Sequence, residues 1–241
     1  MIDWLKREPH EAPTVTVNGR LLPVIIRRLA NARRMTLRLA PDGSEVRISI
    51  PRWGRTDEAV DFARSRTDWL ESQSASLPMA EPLRHGSRIP YRGSLLEIAH
   101  LPDTRRKPRL ENETLLIGGA SESLAPRLKR WLEGEARELC SADLSDFCAR
   151  ARQAVPRLSL SNARRRWGSC SAAGWIRINW RLVMAPDHVR RSVVAHEVAH
   201  LVHLDHSPRF HAFLGELYEG DINLANAWLK REGRSLYVPF G

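Results

Sequence analysis

Apolar and polar positions alternate with a period of two along Met35-Thr36-Leu37-Arg38-Leu39 and again along Val46-Arg47-Ile48-Ser49-Ile50. Extended, each run has one apolar face, and Pro41-Asp42-Gly43 between them supplies turn chemistry, so the pattern predicts a β-hairpin. Upstream, Asn18-Gly19 separates two further strand-like runs between Thr14 and Arg28. The period then lengthens: Val60, Phe62, Ala63, Trp69 and Leu70 fall at helical spacing behind a cap near Thr56. A Pro/Ser/Gly-rich stretch from Ser72 to Ser87 leads to expected strands at Arg88–Arg92, Leu95–Leu101 and Arg109–Ile117, closed by Gly118-Gly119.

From Ser121 to Ala154, Leu124, Leu128, Trp131, Leu132, Leu139 and Leu144 mark a long helix or helix pair that Pro156 ends. Short strands at Leu158-Ser159-Leu160 and Trp175–Trp180 precede a helix capped at Asp187 and two more, Pro208–Tyr218 and Ile222–Arg231. The expected class is α+β. Residues 1–13 read as a flexible N-terminal arm, 14–119 as a β-rich N-terminal region, and 120–241 as a helical half carrying a small sheet. No internal repeat or low-complexity tract interrupts this plan.

The helix after Asp187 is apolar almost all round, through Val189, Val193, Val194, Ala195, Val198, Ala199, Leu201 and Val202, so burial is expected. Inside it lies His196-Glu197-Val198-Ala199-His200. Residues four apart share a helix face, so two imidazoles can reach one Zn²⁺ while the Glu beside them takes a proton from water. Buried imidazoles and a carboxylate need partners, and a metal ion is a good one. A catalytic zinc site takes three protein ligands and leaves one position open. Of the candidates His203, His206 and His211, the first stands about 10 Å along the axis from His196, too far to share one ion. His206 precedes a Ser207 cap and Pro208, where a turn would aim it back at the pair, and it is the favoured third ligand.

Together these residues carry a resemblance. His196-Glu197-x-x-His200-x₅-His206-Ser207-x-x-Phe210 is similar to the zinc motif of the YgjP-like metallopeptidases, relatives of the SprT and WLM peptidases. Arg166-Trp167-Gly168-Ser169-Cys170-Ser171 resembles that family's second hallmark, and Gly174-x-Ile176-x-Ile178-Asn179-Trp180-Arg181-Leu182, Ala185-Pro186 and Arg33-Arg34-Met35-x-Leu37-Arg38 also fit. His211 departs from the aromatic, such as Trp, expected after Phe210. The resemblance spans roughly residues 24–231. It implies Zn²⁺ held by His196, His200 and His206, Glu197 as catalytic base, and a zincin-like helical catalytic half. It also implies that a peptide or protein substrate adds as a strand along an edge supplied by Trp175–Trp180, with Trp167, Gly168, Ser169, Ile176 and Ile178 as substrate contacts.

Other roles stay open from the residues. Trp167-Gly168-Ser169-Cys170 either shapes the cleft floor or is a tight turn stacking Trp167 on the core. Asp205 is a candidate to orient a ligand imidazole. Tyr218, Tyr237, Arg166 and Arg181 are candidates for stabilising an oxyanion.

Composition narrows the class. At 241 residues with 42% hydrophobic and 27% charged content, the chain reads as an ordinary soluble globular protein. The three cysteines form no C-x-x-C pair, and no apolar run approaches the ~20 residues that cross a bilayer, so a reducing cytoplasm and no membrane partner are expected. The net charge of +10, carried by 34 arginines among 38 basic residues, leaves nucleic acid open as a partner. Three rival readings stand beside the zinc metallopeptidase. They are a metal-dependent hydrolase of nucleotide phosphoanhydrides, a DNA-associated SprT-like protease, and a closed structural zinc site in a basic adaptor.

Overall fold

The computed structural model describes residues 13–40, 43–75, 82–104 and 107–240. The expected arm at residues 1–12, the turn residues Pro41 and Asp42, and positions 76–81 of the Pro/Ser/Gly-rich stretch lie outside the described residues. The class is α+β, and the chain divides into two compact units, residues 1–79 and 80–240.

In the first unit, β1 (Thr14–Val17) and β2 (Arg20–Leu29) form an antiparallel hairpin. Asn18 and Gly19 turn it with φ of 48° and 73°, the left-handed pair that matches strand twist. The expected hairpin of β3 (Thr36–Leu39) and β4 (Val46–Pro51) is present, and β4 also pairs with β2 in parallel. The order is β1-β2-β4-β3. Val15, Val17, Leu22, Val24, Val46, Ile48 and Ile50 form one buried face, packed with Ala59, Ala63 and Leu70 of two helices. The single helix expected after Thr56 is broken into α1 (Thr56–Arg64) and α2 (Thr67–Ala75). At the break the Ser65 and Thr67 hydroxyls donate to the carbonyls of Phe62 and Arg64, diverting the backbone locally.

The second unit starts with a sheet of β5 (Arg88–Tyr91), β6 (Ser94–Leu101), β7 (Arg109–Glu111) and β8 (Thr114–Gly118), ordered β5-β6-β8-β7. The run expected as one strand over Arg109–Ile117 is a hairpin, turned at Asn112 with φ 54°. Its inward residues Ile89, Leu96, Ile98, Leu115 and Ile117 join one core with α3 (Leu124–Arg150) and the later helices. The division of contacts therefore falls well before the Gly118-Gly119 boundary read from the pattern, because these strands bury their apolar face against α3.

A third, small sheet has the order β10-β11-β9, from β9 (Leu158–Ser161), β10 (Gly168–Cys170) and β11 (Ile176–Asn179). The unit ends with α4 (Asp187–Ala199), α5 (Pro208–Leu217) and α6 (Ile222–Glu232). Pro186, not Asp187, stands at the α4 cap position. The Asp187 carboxylate instead receives the Arg92 guanidinium at 2.6 Å and that of Arg190 at 2.5 Å. Arg190 is buried and also donates to buried Asp143 at 2.7 Å, pinning α4 to α3. No helix among the described residues is long and apolar enough to cross a membrane.

Candidate metal centre

Helix α4 is buried on nearly every side, with Glu197 buried and His196 half-buried. His200 is the residue that ends it. The chain then turns, and Ser207 caps α5 by accepting from the Phe210 N–H, with Pro208 at the first helical position. That turn brings His206 back. Its Nε2 lies 3.2 Å from His196 Nε2, and one nitrogen from each of His196, His200 and His206 falls within 4.8 Å of the others. Tetrahedral ligands at about 2.0–2.1 Å from zinc sit about 3.4 Å apart, so the donor set fits such an ion.

Two features prepare these rings. The His200 Nδ1 lies 3.0 Å from the His203 carbonyl oxygen, which calls for a proton on Nδ1 and leaves Nε2 its lone pair. Fully buried Phe210 packs against all three rings, with centroids 5.0, 4.6 and 4.8 Å away. Burial, reinforced by the charges of His200, His206 and His211, pushes the His196 pKa down to about 4, so its imidazole is neutral and able to ligate at pH 7.

Glu197 is 5% exposed, and burial raises its carboxyl to about 7 against the opposing pull of the Cys170 backbone N–H and the Arg166 charge. Strand β10 is pressed against this carboxylate. A Cβ on Gly168 would lie 2.3 Å from Glu197 Oε1, so only glycine leaves that carboxylate its place. The Cys170 backbone donor and the His203 carbonyl carry no side-chain signature in the sequence. A hint of the first is the placement of Gly168 two residues earlier.

The other candidates separate. Gly168 and Ser169 lie on β10, which is an edge strand with a partner on one side only among the described residues. The expected edge at Trp175–Trp180 is corrected: β11 is the central strand, bonded to β10 and β9, and cannot accept a third neighbour. Ile176 and Ile178 are corrected with it as substrate contacts, because both are wholly buried in the core beneath the sheet. The Trp167 ring packs on Tyr237 at 5.6 Å and close over Gly233, so it serves packing rather than a cleft wall. Asp205 accepts the Ser207 backbone N–H at 3.4 Å and so shapes the turn, not an imidazole.

His203 packs edge-on against Phe213, and exposed His211 flanks His206 at 6.3 Å without joining the donor set. Among the oxyanion candidates, the Tyr218 hydroxyl donates to the His188 carbonyl and that of Tyr237 to the Ala163 carbonyl. Arg181 is fully buried between the Trp180 and Tyr237 rings. Arg166 is exposed, and its charge acts on Glu197.

Three imidazoles converging beside a buried carboxylate define a centre suited to a divalent metal. The family described as YgjP-like, metallopeptidase domain, matches residues 33–232. The chain belongs to this YgjP-like metallopeptidase family, whose name carries hydrolase chemistry and a metal cofactor with it. No curated protein and no solved structure gives a significant match to the chain.

Proposed function

We propose that the protein is a zinc-dependent peptidase of zincin-like construction in which Glu197 is the general base. The observation that carries this reading is the convergence of His196, His200 and His206 within 4.8 Å beside Glu197, a carboxylate buried and raised to about 7. Three imidazole nitrogen donors gathered within 4.8 Å suit zinc. When bound, the ion would supply Lewis acidity, acidifying water and polarising a carbonyl.

The remaining chemistry belongs to the chain. The Glu197 carboxylate takes the proton of the attacking water and delivers it to the leaving amine, a task suited to a group whose pKa lies near neutrality. Gly168 keeps that carboxylate in place by having no side chain, and the Cys170 N–H orients it. Strand β10 offers its outer edge to an extended substrate, so Gly168 and Ser169 are the positions that would run alongside the peptide. Of the four oxyanion candidates, exposed Arg166, whose charge reaches Glu197, is the one this reading favours to meet negative charge as it develops.

A peptide-library digest paired with metal analysis tests the reading. Wild-type protein should hold one equivalent of zinc and cleave, chelation should abolish cleavage, and Glu197→Gln should keep the metal while losing turnover. A Glu197→Gln variant with full activity, or zinc-loaded protein that cleaves nucleotide phosphoanhydrides and no peptide, would overturn it.

A further inference from the structure

In the first unit the strand register gathers arginines at one end of the sheet. Strands β2 and β4 run parallel and finish together, with Arg28 opposite Ile50 and Leu29 opposite Pro51. β3 runs the other way and starts at this same end, Thr36 opposite Ser49. Arg27 and Arg28 at the close of β2, Arg52 just past β4, and Arg33 and Arg34 on the approach to β3 therefore stand at the same end of three strands ordered β2-β4-β3, with β2 and β3 each about 4.8 Å from β4. All five are exposed. Among the described residues no carboxylate forms an ion pair with any of them, and Arg28 donates to the Thr56 hydroxyl at 2.8 Å. Asp57 and Glu58 open α1 a few residues on, with Arg55 3.8 Å from Asp57.

Beside this cluster stands Trp53, 80% exposed, with Leu29 also uncovered at the neighbouring strand end. Burying an indole would stabilise the fold, so a tryptophan left in water between arginines has its flat face available to something else. Unpaired guanidiniums recognise phosphates, and an exposed aromatic face stacks on an unpaired base. A duplex hides its base faces, and an acidic peptide has none. We infer that this arginine-rich end of the first sheet, with Trp53, is a binding site for single-stranded nucleic acid. The inference is independent of the peptidase reading, since none of these residues belongs to the metal centre.

Fluorescence anisotropy with labelled oligo-dT and oligo-U strands, on the full chain over a salt series, tests it. The Arg33→Gln/Arg34→Gln pair should weaken binding and reduce the slope of log affinity against log salt by about 1.4, two phosphate contacts' worth for a single strand. Trp53→Ala should weaken binding about 5- to 150-fold with the slope unchanged, and Trp53→Phe should recover most of that loss. Arg130→Gln/Arg137→Gln, an equal charge removed from exposed positions on α3, should leave the slope nearly as it was. Melting temperatures confirm that each variant is folded. The site is overturned if neither oligonucleotide binds, if the two arginine pairs lose equally, if Trp53→Ala has no effect, or if duplex or heparin is preferred to the single strands. Equal affinity for oligo-dT and oligo-U supports the site as a reader of bases and phosphates common to both.

Discussion

Every buried polar or charged residue among those described, from Asp143 and Asn179 to Arg190 and Glu197, lies in the second unit, and none lies in the first. The first unit keeps its arginines in water around a buried core of valine, isoleucine, leucine and alanine. Such a core is held by burial alone and tolerates surface change. The second unit carries charge inside, where each ion must be matched: Arg190 answers Asp143 and Asp187, and Arg191 answers Asp143, Asp146 and Glu219. Glu197 has no such cation in contact. It is met by a backbone donor, and burial raises it to about 7, the kind of perturbed buried carboxyl on which the proposed base role rests.

Substitutions that disturb buried charge should accordingly do the most. Glu197→Gln is expected to lower peptide turnover by about 10²- to 10⁴-fold while zinc content stays unchanged, checked by steady-state kinetics and metal analysis on one preparation. Arg190→Ala removes the buried partner of Asp143 inside the α3–α4 packing and leaves it only Arg191, so it should cost about 3 kcal/mol, the lower end for a broken buried pair, read from urea unfolding. Gly168→Ala presses a methyl group on the Glu197 carboxylate. The side chain can swing aside, so stability should change little while kcat falls about 10- to 100-fold, the scale of a misplaced catalytic group.

Acid should loosen the same unit. Against the upward pull of burial, bonds from Arg191, a backbone N–H and Arg150 hold Glu219 down to about 2. A carboxyl depressed on folding contributes stability above its unfolded value near 4.5, and that contribution is lost as pH falls toward 2. Urea midpoints should drop across this window, and less steeply in Arg191→Met. At the other extreme, Arg38→Ala on the exposed side of the first sheet should move the unfolding free energy by less than about 0.5 kcal/mol. A large loss at Arg38, or none at Arg190, would erase the contrast between the units.

The parts legible in the sequence are those whose signal is local. The alternation of Met35–Leu39 and Val46–Ile50 marks a hairpin, and four-residue spacing on α4 with the Ser207-Pro208 cap marks the three imidazoles. What the sequence hides depends on partners far along the chain. The parallel pairing of β2 with β4 is a register between distant segments, and β10 is three residues with no alternation to read. Ile176 and Ile178 alternate correctly with Arg177, yet the apolar side of β11 turns to the core and not to a cleft. Buried Arg181 gives no warning either, since a charge clasped by two rings looks in sequence like any surface arginine.

The contact between His200 Nδ1 and the carbonyl of residue 203 has an evolutionary corollary. The acceptor is peptide oxygen, so the imidazole at position 203 is dispensable to its neighbour, and replacement by many other residues should keep the ring at 200 turned as it is. The length of the reverse bend is another matter. One residue inserted or deleted between Ala199 and Asp205 would carry that oxygen away, leaving the second donor to spin while every recognisable letter of the motif survived.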